Sequence, residues 1–510
     1  MPFCRISGEQ FEISDAERNY CEQQSVPLPN LAPRERLRRI LNFRASPYLY
    51  HGVCAISGKR IISPIPPDSG FKVYNSILES QLDATQYARP YDFRRGFFEQ
   101  FEELLRVVPF SAHIGVAASN ENCDFSHGAS WSKNCYLCFR AQRAEDCLYS
   151  RYLRTAKDVV DCVWVVESEL CYACSDISRC FDLAFSVNCR NCTSGRFLTD
   201  CVGCNDCFGC VGLVHASHCF LNEQLTPTEY NRRIAAIDLS RRSECEAWMM
   251  RVAALAQRGR RSYFEKCEDS TGNYLVECGR ATECFFCHNV EDLEYCIGAD
   301  KLKSSFFTVG MGAGSELLYC CEASGANGFD IRFSSNCVNG VQHIEYCSNV
   351  SNGSTHCFGS VGLRRNSYCV LNQEYSKSEY LDLVSRIKRQ MIERGEYGEP
   401  FPPTLSPYSF NRSEANDFLP LDRQVAMSRG YRWQPDDPPE LGDAADMPDG
   451  LGDVSESVLA KKFRCPVSGK LFALQKKELE FHCRLNLALP DTAPLVRLAE
   501  RGRFLQLTPN

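Results

Sequence analysis

The chain has 510 residues, with 57 Lys and Arg against 64 Asp and Glu, so its net charge is −7. This balance argues against general binding to nucleic acid over the whole surface, and the length predicts several domains. The chain has no apolar run long enough to span a membrane, and its first residues lack the pattern of a secretory signal. We therefore expect a cytoplasmic protein.

The N-terminal part of the chain, 1–110, is predicted to form a small module and a connecting helix. Residues 4–37 align without gaps to residues 465–498, and a partial third copy begins at Cys54. Each copy reads as a short β-hairpin that turns at Ser-Gly, and a helix follows it in the two long copies. The stretch 93–109 has the apolar spacing of a further helix.

An arginine cluster lies inside the first module. Five arginines share a short stretch with helical apolar spacing: Arg34, Arg36, Arg38, Arg39 and Arg44. These side chains are candidates for binding phosphates of a nucleic acid or for binding a partner. The alternative is a helix face that is solvated or paired with acidic residues.

Cysteine is the compositional outlier, with 32 in the chain. Fifteen of them fall in one phase of three residues, at positions 123, 135, 138, 147, 162, 171, 174, 180, 189, 192, 201, 204, 207, 210 and 219. Neither a helix of period 3.6 nor a strand of period 2 keeps such a phase. Short strands joined by tight corners do, since residues on either side of a corner can both point inward.

The residues between the cysteines support corners, because Asn or Asp often stands directly before Cys, as in Asn134-Cys135 and Asp146-Cys147. We therefore predict a mainly β fold, a cysteine-laddered parallel β-solenoid of the right-handed β-helix type. From the spacing of these motifs we expect about 20 residues in each turn of the solenoid.

A second cysteine-rich block repeats the first. Residues 206–230 match residues 356–380 without a gap, and a helical stretch follows each copy, from Thr226 and from Ser376. We expect these helices to cap the open ends of the solenoid. The second block keeps the three-residue phase less regularly, which insertions of one or two residues at loops would explain.

Residues 433–457 are rich in Pro, Gly and Asp, and are predicted to be an acidic flexible linker. The predicted domains are 1–110, a degenerate zinc-ribbon-like module with its connecting helix; 111–260 and 261–432, the two solenoid blocks with their capping helices; the linker 433–457; and 458–510, a C-terminal copy of the module.

With these motifs in hand, the chain resembles a family of uncharacterised, cysteine-rich bacterial proteins. The resemblance rests on the C-x-x-S-G opening at Cys4, the FFEQF segment at 97–101, the Asn/Asp-Cys tracts, both CFG[CS]VGL segments and FPPTLSPYSFN at 401–411. It implies an N-terminal zinc-ribbon-like module but no activity. Here Ser7 stands three residues after Cys4, so the paired cysteines of that module are missing.

The run Cys201, Cys204, Cys207 and Cys210 is the candidate metal site, with zinc as the alternative to no cofactor. The same three-residue phase continues beyond the run, which favours buried structural thiols. Abundant aspartates, such as Asp161, Asp176, Asp182, Asp200 and Asp206, leave open a glycan-active β-helix enzyme. Most of them precede Cys, where capping a corner is the simpler role.

We expect a non-enzymatic scaffold or binding protein that uses a rigid face of the solenoid and its terminal modules to dock a protein partner or a second copy, with no catalytic residues or membrane contact. The alternatives are a nucleic-acid-binding protein, a glycan-active enzyme and a thiolate metal-binding protein.

Overall fold

The computed structural model describes residues 1–115, 117–123, 125–256, 264–265, 267, 272–273, 275–279, 284–285, 288–294, 303–306, 315–322, 327–436 and 438–507. The chain forms two compact units. Unit 1 contains Met1–Ala112, Ser262–Gln434 and Leu507–Asn510, and unit 2 contains His113–Arg261 and Pro435–Gln506. Each unit therefore combines one end of the chain with one solenoid block, which differs from the predicted succession of separate domains.

Ten α-helices lie in the described ranges. They are α1 Asp15–Gln24, α2 Pro33–Leu41, α3 Phe97–Val107, α4 Pro227–Ile234, α5 Arg242–Ala256, α6 Lys377–Glu393, α7 Glu414–Phe418, α8 Arg423–Ser428, α9 Lys476–Leu485 and α10 Pro494–Arg501.

In unit 2 the first block is a parallel β-solenoid, as predicted. Its strands are Phe139–Glu145, Arg151–Val160, Val163–Tyr172, Ser175–Ser178, Phe181–Ala184, Val187–Arg190, Thr193–Arg196, Asn205–Phe208, Ser217–Phe220 and Glu223–Gln224. Phe139 pairs with Arg151, Arg151 with Val163, and Val163 with Ser175, so the turn repeats every twelve positions. The expected turn of about 20 residues was wrong, because each Asn/Asp-Cys motif marks one corner of four rather than half a turn.

The corners explain the three-residue phase. From Asn134 to Asp200, every third residue has a φ between 48° and 64°. Asn and Asp tolerate this left-handed conformation better than most residues, which accounts for their place before cysteine. The backbone amide at each corner is satisfied by the neighbouring turn, as in Asp146 N–H to the Lys133 carbonyl at 3.0 Å. The prediction of tight corners every three residues is confirmed.

The residue after each corner points inward. These positions hold Cys, Ser, Ala, Val, Leu or Ile, with one glycine at 195, and form the core of the block. The Cys138 thiol lies 3.3 Å from the Cys147 carbonyl, and Ser150 Oγ accepts the Cys162 amide at 3.0 Å. Small residues fill the narrow bore, and their S–H and O–H groups add hydrogen bonds between turns.

In unit 1 the second block follows the same plan with a longer turn. Phe329 pairs with Gln342 and Gln342 with Thr355, so these turns repeat every thirteen positions. The extra residue stands at one corner, where Asn339 and Gly340 both have positive φ. This insertion confirms the expected reason for the slips of phase. The start of this block lies largely outside the described residues.

The strands of unit 1 comprise those of the end module and those of the second block. They are Tyr50–Val53, Arg60–Ser63, Val73–Tyr74, Phe110–Ser111, Phe264–Glu265, Gly272–Asn273, Leu275–Gly279, Cys284–Phe285, His288–Glu294, Lys303–Phe306, Glu316–Tyr319, Phe329–Arg332, Gln342–Glu345, Thr355–Phe358, Ser367–Val370 and Gln373–Glu374.

Each block ends in a short antiparallel strand and a helix. Ser217–Phe220 pairs with Glu223–Gln224, and Ser367–Val370 pairs with Gln373–Glu374. Thr226 then caps α4, and Ser376 caps α6 in a reciprocal capping box with Glu379. The antiparallel strand pairs with the open edge of the last turn, at the end of the block where the helices were predicted to form a cap.

The two end modules share one local structure. In unit 1, Phe3 bridges to Gln10 around Gly8, and α1 and α2 follow. In unit 2, the strands Phe463–Arg464 and Leu471–Phe472 pair around a turn at Gly469, and α9 and α10 follow. Both modules thus contain the predicted hairpin.

The segment predicted to be a flexible linker packs within unit 2. Met447, Leu451 and Val454 pack into the core of the C-terminal module, and the Ala445 amide donates to the Lys462 carbonyl at 2.9 Å. Asp449 accepts the hydroxyl of Ser243 on α5 at 2.8 Å. Its few apolar residues therefore suffice to dock it, which composition alone did not indicate.

Candidate functional site: the sides of the solenoid

Each turn has four sides, and each side shows two outward residues between inward ones. One side of each block is aromatic. In the first block this aromatic side contains Tyr149, Tyr172, Phe185, Phe197, Phe208 and Phe220, and in the second it contains Tyr319, Phe333, Tyr346 and Phe358. Rings in successive turns contact one another, as in the stacked pair Phe185 and Phe197 at 4.8 Å.

In unit 2 the C-terminal module covers part of the aromatic side. The Tyr149 hydroxyl donates to Glu478 at 3.0 Å, and Arg497 bridges Glu478 and Asp161 at 2.8 Å each. Burial lowers the pKa of Arg497, but the two carboxylates outweigh this effect and raise the pKa above the usual range. Burial raises the pKa of Asp161. Arg497, Glu478 and Asp161 therefore form a buried charged clamp between the C-terminal module and the solenoid.

Next to this clamp lies His482 of α9, which is fully buried and lies edge-on against Tyr172 at 4.7 Å. Burial lowers the pKa of His482 to about 4, so the imidazole is neutral at pH 7.

In unit 1 the N-terminal module uses the same arrangement. Arg36 pairs with Glu17, the Tyr319 hydroxyl donates to Glu17 at 2.9 Å, and all three side chains are buried. Glu17 and Arg36 occupy the positions that Glu478 and Arg497 hold in the other copy. Phe97 of α3 covers Tyr346 and Phe358 further along the side, at 5.4 and 5.3 Å.

This placement accounts for the predicted arginine cluster. Arg36, Arg38, Arg39 and Arg44 are buried, and each pairs with a carboxylate of unit 1: Glu17, Glu35, Glu399, and both Glu322 and Glu414, respectively. Arg34 donates to the Leu507 carbonyl. Four of the five arginines are therefore buried in ion pairs within unit 1.

The cysteine run predicted as a metal candidate occupies the four inward positions of one turn. The thiols of Cys201, Cys204, Cys207 and Cys210 each lie within 3.8 Å of backbone carbonyls in their own and the next turn. Hydrogen bonds with neighbouring thiols, together with burial, raise the pKa of Cys201 and Cys207, whereas hydrogen bonds from neighbouring thiols lower the pKa of Cys204 and Cys210. No group of three or more metal-ligating side chains lies among the described residues.

The zinc-ribbon module implied by the family resemblance also lacks its ligand set. Cys4, Cys54 and Cys465 each sit in a turn whose serine amide points at the thiol, at 3.4 to 3.5 Å. Burial raises the pKa of Cys54, but hydrogen bonds from Ser57 and the neighbouring amides outweigh it and lower the pKa to about 7. Each turn supplies one thiol where zinc needs four ligands, so these residues do not fit the metal.

The aspartates considered for glycan chemistry are mostly corner residues with partners. Asp176 pairs with Arg190 at 2.6 Å and Asp182 with Arg196 at 2.7 Å, while Asp161 belongs to the clamp. Asp200 accepts the Asn188 amide at 2.5 Å, and Asp206 lies 3.9 Å from His218. This agrees with the simpler role of capping corners.

A cleft of about 600 Å³ lies in unit 1 beside α3. Charged side chains at the cleft form ion pairs with one another: Arg89 contacts Glu103 at 3.0 Å, and Arg95 contacts both Glu99 and Glu103. It is wide open and carries no arrangement of nucleophile and base.

Two further sides of the first block are exposed. The arginine side has one exposed corner residue in each turn: Trp131, Arg143, Thr155, Glu167, Arg179 and Asn191. The charged side alternates in sign: Glu121, Lys133, Glu145, Lys157 and Glu169. Sequence reasoning missed both sides, although reading the sequence at the spacing of one turn reveals each row once the turn length is known.

No protein-family model matches the chain, and no curated protein matches it. Among solved structures, a putative acetyltransferase from Desulfovibrio desulfuricans G20 is similar over 66% of this chain and 93% of that chain, with 8% identity. The TM-score is 0.11, so this likeness carries no argument.

Proposed function

We propose that the protein is a non-enzymatic scaffold that binds a protein partner on the arginine side of its first solenoid block. The observation that carries this proposal is the row of exposed side chains held at a fixed spacing by the parallel strands. A second copy of the chain is the alternative partner.

The arginine side has the composition of a protein interface. Trp131 is 52% exposed, and the guanidinium of Arg143 lies over its ring at 5.8 Å. Arg179 pairs with Glu167 at 3.4 Å, and both side chains are about half exposed. Trp and Arg are enriched among residues that dominate binding energy. Because the hydrogen-bonded turns fix their backbone, little conformational entropy remains to be lost on binding.

The alternative functions have less support in the described residues. The arginines considered for nucleic acid are internal ion pairs, the aspartates considered for glycan chemistry are paired corners, and the ladder thiols contact carbonyls. The cysteines whose side chains the structure describes are free thiols, as expected in a reducing compartment such as the cytoplasm. The described residues contain no helix able to cross a membrane.

The test is chemical cross-linking in the cells that make the protein, followed by quantitative mass spectrometry of the captured partners. The double variant R143E/R179E reverses the charge of the arginine side, and K133E/K157E makes the same change on the charged side as a control. Glutamate already stands in each row, at Glu167 and Glu145, but both variants place like charges in adjacent turns, so thermal unfolding verifies that each variant is folded.

We expect one partner to be captured by the wild type and by the control, and its recovery to fall at least tenfold with R143E/R179E. Both variants should remain folded at the temperature of the assay. A partner recovered equally from all three proteins would overturn the assignment of this side. Partner loss with the control alone would move the interface to the charged side.

A further inference from the structure

One corner of the second block carries a ladder of histidines that the proposed function does not use. Asp330, His343, His356 and Tyr368 occupy the same corner in successive turns. The rings of His343 and His356 are 4.6 Å apart at an angle of 39°, and Tyr368 stacks on His356 at 4.9 Å. Parallel pairing thus sets the two imidazoles side by side.

Both imidazoles are oriented through the same nitrogen. His343 Nδ1 lies 3.0 Å from Asp330 Oδ2, and His356 Nδ1 lies 2.8 Å from the Thr355 hydroxyl. Arg332 in turn holds Asp330 at 2.7 Å. Hydrogen bonds to a carboxylate or a hydroxyl at one nitrogen are what fixes a histidine for ligation through the other.

The remaining nitrogens are open to solvent. The His343 side chain is 40% exposed, and within the described residues neither Nε2 makes a hydrogen bond or is buried without one. A metal ion lies about 2 Å from an imidazole nitrogen, so one ion bound to both rings needs their Nε2 atoms within about 4 Å of each other. The ring centroids are 4.6 Å apart.

We propose that His343 and His356 form a two-imidazole site for a divalent transition-metal ion, bound through both Nε2 atoms with water in the remaining positions. Imidazole and water suit ions such as Ni²⁺, Cu²⁺ and Zn²⁺.

Other histidines of the chain show why this pair is distinctive. His218 occupies the matching corner of the first block, but its Nε2 faces Asp206 at 3.9 Å. His113 uses both ring nitrogens on backbone carbonyls, at 3.1 and 3.0 Å. His218 therefore supplies a matched control with a single imidazole.

The experiment is calorimetric titration of the full, chelator-treated chain with Ni²⁺ at pH 7.5. Ni²⁺ is the probe because it favours nitrogen ligands and does not oxidise the many thiols. The variants are H343N, H356N and the control H218N, since Asn already occupies such corners at Asn336 and Asn349. Thermal unfolding verifies that each variant is folded.

In ¹⁵N-histidine spectra, paramagnetic Ni²⁺ should broaden the signals of two histidines in the wild type. We expect one Ni²⁺ per chain, affinity at least tenfold weaker in H343N and in H356N, and no change in H218N. Wild-type chain that binds no Ni²⁺, or binding that both asparagine variants retain, would overturn the site.

Discussion

The buried clamp of unit 2 yields the most quantitative prediction. Replacing Arg497 by methionine leaves the Glu478 and Asp161 carboxylates without their cation, in a site where all three side chains are at most 6% exposed. Removal of one partner from a buried ion pair costs about 3–5 kcal/mol. The loss should appear as local opening of the C-terminal module.

Hydrogen exchange measures that opening peptide by peptide, which suits a chain with two units whose global unfolding need not be two-state. A cost of about 3–5 kcal/mol corresponds to exchange roughly 150 to 5000 times faster in peptides from α9 and α10. Peptides from α3, in unit 1, should exchange at the wild-type rate.

The matched control is Arg484→Met. Arg484 lies on the same helix as Glu478 and pairs with Asp158 on the solenoid, but its side chain is 49% exposed. Exposed pairs contribute at most about 1 kcal/mol, so exchange should accelerate less than about fivefold. The reasoning is refuted if R497M and R484M accelerate exchange in α9 and α10 to the same extent.

Two further predictions concern unit 2. The folded pKa of His482 is about 4, below the ordinary value of about 6.5, so its contribution to stability is complete above pH 6.5 and is lost as pH falls through 4. The full loss is about 3 kcal/mol, and hydrogen exchange at stepped pH should show it in wild type but not in H482L. The raised pKa of Asp161 has the opposite effect and remains in both proteins. Gly195→Ala should lower the unfolding temperature measured by calorimetry, at a cost of about 1–3 kcal/mol, because a new Cβ would lie 2.4 Å from Leu198 and 2.9 Å from Leu183. An unchanged unfolding temperature would contradict the tight packing of that turn.

The sequence predicted the corners and the inward thiols because both depend on local rules. Small residues must fill a narrow bore, and Asn or Asp favours the left-handed corner before each one. The turn length was missed because Ser150, Ala156 and Gly195 interrupt the cysteines that otherwise recur every twelve residues at one inward position. Without that twelve-residue repeat, the distance between successive Asn/Asp-Cys motifs was mistaken for half a turn.

Whether the arginine cluster is exposed or buried could not be predicted from its own segment. Arg36 pairs with Glu17 beside Tyr319, and Arg44 with Glu322 and Glu414, so partners far away in sequence decide whether the charges are buried. The docking of segment 443–454 could not be predicted from that segment either, since the core against which it packs is formed by residues after 457.

The central claim is that the solenoid core is a ladder of free structural thiols. Peptide-resolved mass spectrometry of chelator-treated protein, alkylated before and after unfolding without added reductant, tests it most directly. In the native state we expect alkylation at the exposed Cys483, while the buried ladder from Cys123 to Cys219 reacts only after unfolding, with the intact mass of the bare reduced chain. Ladder thiols that stay unreactive after unfolding, or a mass that shows disulfides or retained metal, would contradict the account.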